Sequence, residues 1–336
     1  MSVKKLNVAL VGLGGVGQEY LEAVVGDLRF NLVAVADTDC ELLRATAKST
    51  GAREYNDHRS LVVETAHIGL DMLLLAVEPF QSVELLPLAA NLGVCVFHKT
   101  PFARSYAEAK ALVESFAQYP HHLIVSRCWR YEPAYQQLLS LDDSVGWVFL
   151  ASAHVRSSAI GRTGWSGDRV LAGGGVLLNG AYEQVDMLVE FLGVPQEVLA
   201  LCGFATVPGS VRPYDTEDTA VVSMRFSDDR VVSLAAARGT PDPGWNMTLV
   251  GTDGVAEVSQ DRMIVAQPGE KERERSFVKS ENRFAAELGA IAAWLGGVSA
   301  LAPSTGEDHL ATMAVIQAAY LSAKTGSPET PTKFFE

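Results

Sequence analysis

Asn7-Val8-Ala9-Leu10-Val11-Gly12-Leu13-Gly14-Gly15-Val16-Gly17 runs a short apolar segment straight into glycines at G-x-G-x-x-G spacing. The first glycine of that pattern permits a tight turn out of a strand, and the second lets the backbone approach a pyrophosphate. The third lets the following helix pack close against the strand. The helix expected over 18–25 would point its unpaired N–H groups at phosphate oxygens. Such spacing alone is common, because glycine is common in turns. Here a second apolar run, 32–36, follows and ends at Asp37, twenty residues past Gly17. A carboxylate in that place accepts hydrogen bonds from the ribose hydroxyls of an adenine dinucleotide. Asp39 adds negative charge where a 2′-phosphate would sit, so NAD is expected rather than NADP. Arg44, a turn or two on, works the other way.

Outward from this unit the pattern repeats. Apolar runs at 70–77, 94–97 and 123–125 alternate with helix-like stretches at 41–50, 83–92 and 107–116. Continuous apolar strands separated by amphipathic helices indicate a parallel sheet covered on both faces, a doubly wound Rossmann fold. Its expected cofactor contacts are Gly12, Leu13, Gly14, Gly15, Val16, Gly17, Asp37 and Thr38, with Ala76, Val77 and Lys99 at the ends of later strands.

The second half reads differently. A helix at 133–141 leads to a strand at 147–155, and a glycine-rich stretch then opens a helix expected over 176–192. Strands follow at 219–226, 231–237, 246–250, 256–259 and 263–266, with Gly251-Thr252-Asp253-Gly254 as hairpin chemistry between two of them. Helices at 282–295 and 307–324 close the chain. The expected class is α/β: an N-terminal parallel sheet, residues 1–125, plus an α+β domain, 126–336, with a large, mostly antiparallel open sheet.

Apolar residues make up 48% of the 336 and charged residues 20%, as in ordinary globular proteins, and the formal charge is −13. That balance argues against nucleic-acid and anionic-membrane partners, which need a basic surface. Local arginines still leave room for an anionic small substrate. Cys40, Cys95, Cys128 and Cys202 lie far apart without metal-ligand spacing and read as free thiols of a reducing compartment. No metal site is expected; His121-His122 is a pair without further ligands at useful spacing. Lys4-Lys5 before an apolar run imitates a signal peptide, but the run stops within a few residues, so a cytoplasmic protein is expected.

The remaining landmarks resemble those of the glucose–fructose oxidoreductase / inositol dehydrogenase (Gfo/Idh/MocA) family. His98-Lys99-Thr100-Pro101 is similar to its Glu-Lys-Pro signature, and Arg130-Tyr131-Glu132-Pro133-Ala134 to its Arg-Phe-x-Pro-Ala. Gly173-Gly174-Gly175 followed by Asn179, Glu183 and Asp186 resembles its glycine-rich helix start with Asp-x-x-x-His-x-x-Asp. Thr305-Gly306-Glu307-Asp308 and the helix ending near Gly326 resemble its C-terminal segment. The resemblance implies an NAD-dependent oxidoreductase that moves hydride to or from a secondary alcohol or ketone of a sugar, cyclitol or related polyol. It implies a small-molecule substrate and a homodimer or homotetramer formed through the C-terminal sheet.

Catalytic roles then fall on Lys99, Asn179 and Glu183. Lys99 would polarise the reacting oxygen. Asn179 can orient a hydroxyl or carbonyl but exchanges no proton. Glu183 exchanges one if burial brings its acidity toward neutrality. On one continuous helix, positions 179, 183 and 186 share a face, although Glu190 would extend the same stripe as a solvated one. Arg127, Arg130, Trp165 and Asp186 are the expected substrate contacts, with Arg156 and Arg162 nearby in sequence. Trp165 would stack on a sugar ring or pack structurally. His98 and His154 are further proton candidates or structural histidines. The chain departs from the family pattern at Asn179, Glu183, His98 and Thr100. It departs again at Glu78-Pro79-Phe80-Gln81-Ser82, where the family has Asn-x-x-His. Those departures keep two rivals open: an imine or pigment reductase of the same fold, and a dinucleotide-sensing regulator without catalysis.

Overall fold

Six short strands, β1 (Leu6–Val11), β2 (Phe30–Ala36), β3 (Arg53–Tyr55), β4 (Met72–Leu75), β5 (Val96–His98) and β6 (Leu123–Val125), form one sheet. They lie in the order β3-β2-β1-β4-β5-β6 and every pairing is parallel. The computed structural model describes residues 5–138, 141–158, 164–205, 212–278 and 282–335. Val8, Ala9 and Leu10 of β1 and the whole of β4 are closed to solvent, which is why these runs are continuously apolar rather than alternating. The strand order reverses between β1 and β4, where an open α/β sheet leaves a crevice at its carboxyl edge. β3 lies at the sheet edge with Arg53 and Glu54 exposed, so no apolar run marks it.

Helix α1 (Val16–Gly26) buries Gly17, Tyr20, Ala23 and Val24. Helix α2 (Cys40–Thr50) starts at Asp39, whose carboxylate accepts from the N–H groups of Glu41 and Leu42, and stops at Gly51 with φ 76°. This first unit comprises Met1–Ala103, Ala107–Tyr131 and Glu281–His309. The late segment joins because the helix Arg283–Leu295 puts Phe284, Leu288 and Ile291 into the core shared by Leu10, Tyr20 and Phe97. The Tyr20 and Phe284 rings meet edge to face, 4.5 Å between centroids.

The second unit, Arg104–Tyr106, Glu132–Ser280 and Leu310–Glu336, holds an eight-stranded sheet. Its strands are β7 (Val148–Ser157), β8 (Glu197–Gly203), β9 (Thr219–Arg225), β10 (Val231–Arg238), β11 (Gly244–Gly251), β12 (Val255–Ser259), β13 (Arg262–Ala266) and β14 (Arg273–Ser276). The order is β14-β13-β12-β11-β7-β10-β9-β8; β7 and β10 run parallel and the other neighbours antiparallel. One face is packed and the other open: along β9, Ala220, Val222 and Met224 are buried while Val221 and Ser223 are exposed. The helix Leu310–Thr325 packs on β8. Gly251 to Gly254 turn the β11–β12 hairpin, the Gly251 N–H donating to the Gly254 carbonyl at 2.9 Å. This is the expected fold class, a Rossmann sheet plus a mostly antiparallel open sheet.

One local expectation fails. The run 176–192 is two helices, Val176–Asn179 and Tyr182–Leu192. Between them the Ala181 N–H reaches back to the Val176 carbonyl at 2.9 Å, one residue further than an α-helical bond, so the ladder widens. Face counting from 179 to 183 and 186 therefore does not hold. No described helix is long and apolar enough to cross a membrane.

Candidate functional site

The glycine loop joins β1 to α1 at the carboxyl edge of the sheet. A Cβ on Gly12 would lie 2.8 Å from the Ala76 carbonyl oxygen and 2.9 Å from Val77 Cγ1, and Gly12 has φ 88°. The loops after β1 and β4 are thus in contact across the strand reversal, and Ala76 and Val77 border the glycine loop. A Cβ on Gly17 would come within 2.2 Å of the Gly12 carbonyl oxygen, so helix and strand meet at the distance that only glycine allows. Positions 14 and 15 are different: a Cβ there would meet nothing within 4 Å. Gly15, at the α1 N-cap, brings no side chain to the first helical amides. The open space, the exposed backbone and the helix N-terminus together fit a pyrophosphate.

Asp37 follows β2 beside this loop. Its Oδ2 accepts from the Leu13 N–H at 2.6 Å and its Oδ1 from the Asp39 N–H at 2.8 Å. The carboxylate is oriented by backbone before any ligand arrives, and each oxygen keeps a lone pair for a ribose hydroxyl. Thr38 and Asp39 are exposed next to it, although Asp39 spends its side chain capping α2. Arg44 is exposed on α2.

Lys99 follows β5, its backbone N–H bonded to the Leu75 carbonyl at 3.2 Å. Its Nζ donates to Glu78 Oε2 at 3.0 Å, with the side chains 12% and 22% exposed. Glu78 stands in the stretch that departs from the family pattern and was not among the expected site residues. It sits just before the short helix Pro79–Ser82 and gives its own N–H to Gln81 Oε1 at 3.1 Å. Only a fold that sets β4 beside β5 joins these two residues, 21 apart in sequence.

His98 is fully buried. Its Nδ1 lies 2.5 Å from the Lys99 carbonyl oxygen, which can only accept, so Nδ1 carries the hydrogen and Nε2 accepts from the Ser82 hydroxyl at 2.8 Å. Burial pushes the imidazole down to about 4; the bond to the Lys99 carbonyl opposes this and the Lys99 charge adds to it. A neutral ring with both nitrogens engaged and no solvent contact serves as a brace rather than a proton donor.

Arg127 is buried in the same unit. Its N–H donates to Glu287 Oε1 at 2.7 Å and its Nη2 to the Asp308 carbonyl at 2.9 Å, while Ser126 Oγ donates to Glu287 Oε2. These bonds tie the end of β6 to the returning C-terminal segment. Arg130 is half-buried in the turn Cys128–Tyr131, its guanidinium carbon 6.0 Å from the Trp129 ring centroid.

In the second unit the glycine-rich stretch is packed against a buried carboxylate. Glu217 accepts from the Gly175 N–H at 2.8 Å, the Leu177 N–H at 3.0 Å and the Tyr320 hydroxyl at 2.8 Å. A Cβ on Gly174 would strike the Tyr320 hydroxyl oxygen, and one on Gly175 the Glu217 backbone. Asn179 closes the same loop, its Nδ2 donating to the Gly174 carbonyl at 2.8 Å and the Ala172 carbonyl at 3.3 Å. Its Oδ1 is buried without a hydrogen-bond partner among the described residues.

Glu183 is half-buried in the first turn of Tyr182–Leu192, Asp186 is fully buried and Glu190 exposed, so the acidic stripe is not one environment. Asp186 Oδ1 accepts from the Thr312 hydroxyl at 2.6 Å. Trp165 is half-buried in the turn Gly164–Gly167. His154 lies exposed in mid-β7, opposite Asn246 of β11. Arg156 donates to the Asp242 carbonyl at 3.0 Å. Arg162 lies outside the described residues.

Residues 6–126 match the N-terminal domain of Gfo/Idh/MocA proteins, described as "Oxidoreductase family, NAD-binding Rossmann fold". Residues 144–330 match its "C-terminal alpha/beta domain". A D-apiose dehydrogenase of Paraburkholderia graminis is 25% identical over 346 aligned residues, spanning 97% of this chain and 89% of that protein. A levoglucosan dehydrogenase, solved in complex with NADH and L-sorbose, superposes with TM-score 0.85 at 18% identity, over 99% of this chain and 100% of the other. Biliverdin reductase from Synechocystis, solved with biliverdin and NADP+, superposes with TM-score 0.81 at 19% identity, over 95% and 99%. At these identities the two superpositions establish shared fold.

Proposed function

The chain belongs to the Gfo/Idh/MocA family of NAD-dependent oxidoreductases, and from that premise we propose that it moves hydride between NAD(H) and a secondary alcohol or ketone carbon of a sugar, cyclitol or related polyol. The observation that carries this reading is the Lys99 ammonium, held by Glu78 at the carboxyl edge of the same sheet that carries the glycine loop. The D-apiose dehydrogenase relative, aligned along nearly the whole chain, supports the sugar class.

On this reading Gly12 to Gly17 cradle the pyrophosphate, Asp37 and Thr38 take the adenosine ribose, and Ala76, Val77 and Lys99 border the nicotinamide half. The bound nicotinamide supplies the redox chemistry. Lys99 donates a hydrogen bond to the reacting oxygen and stabilises alkoxide charge there. Asn179, expected to orient substrate, instead has its carboxamide hydrogens committed to two backbone carbonyls and its oxygen buried, so it holds the glycine-rich loop in shape. Glu183 is the proton relay. Arg130 and Trp165 shape the substrate side; Asp186, expected there, is fully buried on the Thr312 hydroxyl and serves the packing of its helix, and Arg127 contributes by fixing the backbone after β6.

We also infer a homodimer or homotetramer built on the open sheet face. Leu201 and Val221 are cross-strand partners there, exposed by 72% and 50%. Sedimentation of the protein tests that assembly. The enzymatic reading is tested by incubating purified protein with NAD+ and a panel containing D-apiose, other sugars, anhydrosugars and cyclitols. NADH should accumulate with at least one of them. Tight NADH binding with no turnover would favour a sensor, and NADH-dependent reduction of biliverdin alone would favour the pigment reductase.

A further inference from the structure

We propose that Glu78 is the positioning residue of Lys99, the group that fixes where the ammonium stands at the carboxyl edge of the sheet; this rests on the oxidoreductase reading above. A lysine head sits on a flexible four-carbon stem and, left to itself, samples many rotamers. Here Nζ is held by one carboxylate at 3.0 Å, in a pair largely withdrawn from solvent. A charge-assisted bond in such surroundings restrains more than an exposed ion pair does.

Both ends of the pair are anchored through the main chain. Glu78 gives its N–H to Gln81, at the start of a helical turn. Lys99 is fixed by its N–H to Leu75 and by the His98 ring on its carbonyl. The one soft element left is the lysine side chain, and Glu78 is its only hydrogen-bond partner among the described residues. An ammonium has three hydrogens. With one given to Glu78, two remain for the reacting oxygen. Glu78 touches no reacting atom on this account; it acts through Lys99.

Two readouts test this in the full-length protein with Glu78→Gln, Glu78→Asp, Lys99→Ala and the double variant E78Q/K99A. The first needs no activity: brief labelling with acetic anhydride at fixed pH, followed by mass spectrometry of each lysine. Lys99 should label several-fold more in Glu78→Gln, with the other lysines unchanged and Glu78→Asp partly restored. NADH affinity and the melting temperature should stay at wild-type values. The second is kinetic, on the best substrate of the panel. In Glu78→Gln kcat should fall by about ten- to a hundredfold with little change in KM. The same substitution should cost nothing further once Lys99 is alanine. Should wild type turn over no sugar or polyol while Lys99 labelling responds as stated, the oxidoreductase reading fails and the ion pair stands. Unchanged Lys99 labelling, an unchanged kcat, or an equal loss in the Lys99→Ala background overturns the role of Glu78.

Discussion

Gly17 stands so close to Gly12 that a Cβ at position 17 would lie 2.2 Å from the Gly12 carbonyl oxygen. Backbone cannot yield there without opening the strand-to-helix turn. Gly17→Ala should therefore lower stability by about 2 kcal/mol or more and weaken NADH binding with it. Gly14→Ala separates the two effects, because its Cβ meets nothing within 4 Å. Urea unfolding should stay at the wild-type midpoint while a fluorescence titration finds NADH affinity reduced roughly tenfold, about 1.4 kcal/mol. Unaltered affinity in Gly14→Ala would remove the pyrophosphate from this loop.

Asp37 should control which cofactor is taken. Its two oxygens already hold the Leu13 and Asp39 N–H groups, so the carboxylate is aimed without help from the ligand. Asp37→Ser should weaken NADH about tenfold or more and weaken NADPH far less, since the charge opposing a 2′-phosphate is gone. Parallel losses for both cofactors would contradict contact with the ribose.

Restoring the family's usual aspartate at 179 should not improve this protein. Asn179 donates to the Gly174 and Ala172 carbonyls, and a carboxylate can only repel them. Asn179→Asp is expected to cost about 1–3 kcal/mol in denaturant unfolding and to lower kcat. A stabilised or faster variant would argue that the loop is held some other way.

Acid should loosen the first unit through His98. Its folded value of about 4 lies below the ordinary 6.5, so between these limits the unfolded chain binds the extra proton. Stability is then fully present above about pH 6.5 and is lost as pH falls toward 4, to the extent of about 3 kcal/mol from this group. Unfolding midpoints across that window should fall less steeply in His98→Gln than in wild type. Identical slopes would mean that the ring is not held neutral.

What could be read from the sequence was what local backbone chemistry dictates. The G-x-G-x-x-G turn, Asp37 and the parallel apolar runs each follow from constraints within a few residues, and the fold places all of them as expected. Pairings set by tertiary neighbours were not legible. Glu78 meets Lys99 only because β4 and β5 are adjacent, and Glu217 finds the Gly175 and Leu177 amides 42 and 40 residues away. β14 is exposed at all four positions and carries no hydrophobic period. The break at Gly180–Ala181 turns on one widened hydrogen bond that a helical period conceals. Nothing in the composition of Arg283–Leu295 assigns that helix to the first sheet; its Phe284 does so by meeting Tyr20.

Hydride transfer from a sugar or polyol carbon is tested most directly by following an isotope. The best substrate of the panel, carrying deuterium on its carbinol carbons, is incubated with NAD+ and the protein, and the NADH formed is weighed by mass spectrometry. The NADH should be heavier by one deuterium and should form far more slowly with Lys99→Ala. NADH without the label, or the same rate without Lys99, would contradict this reading.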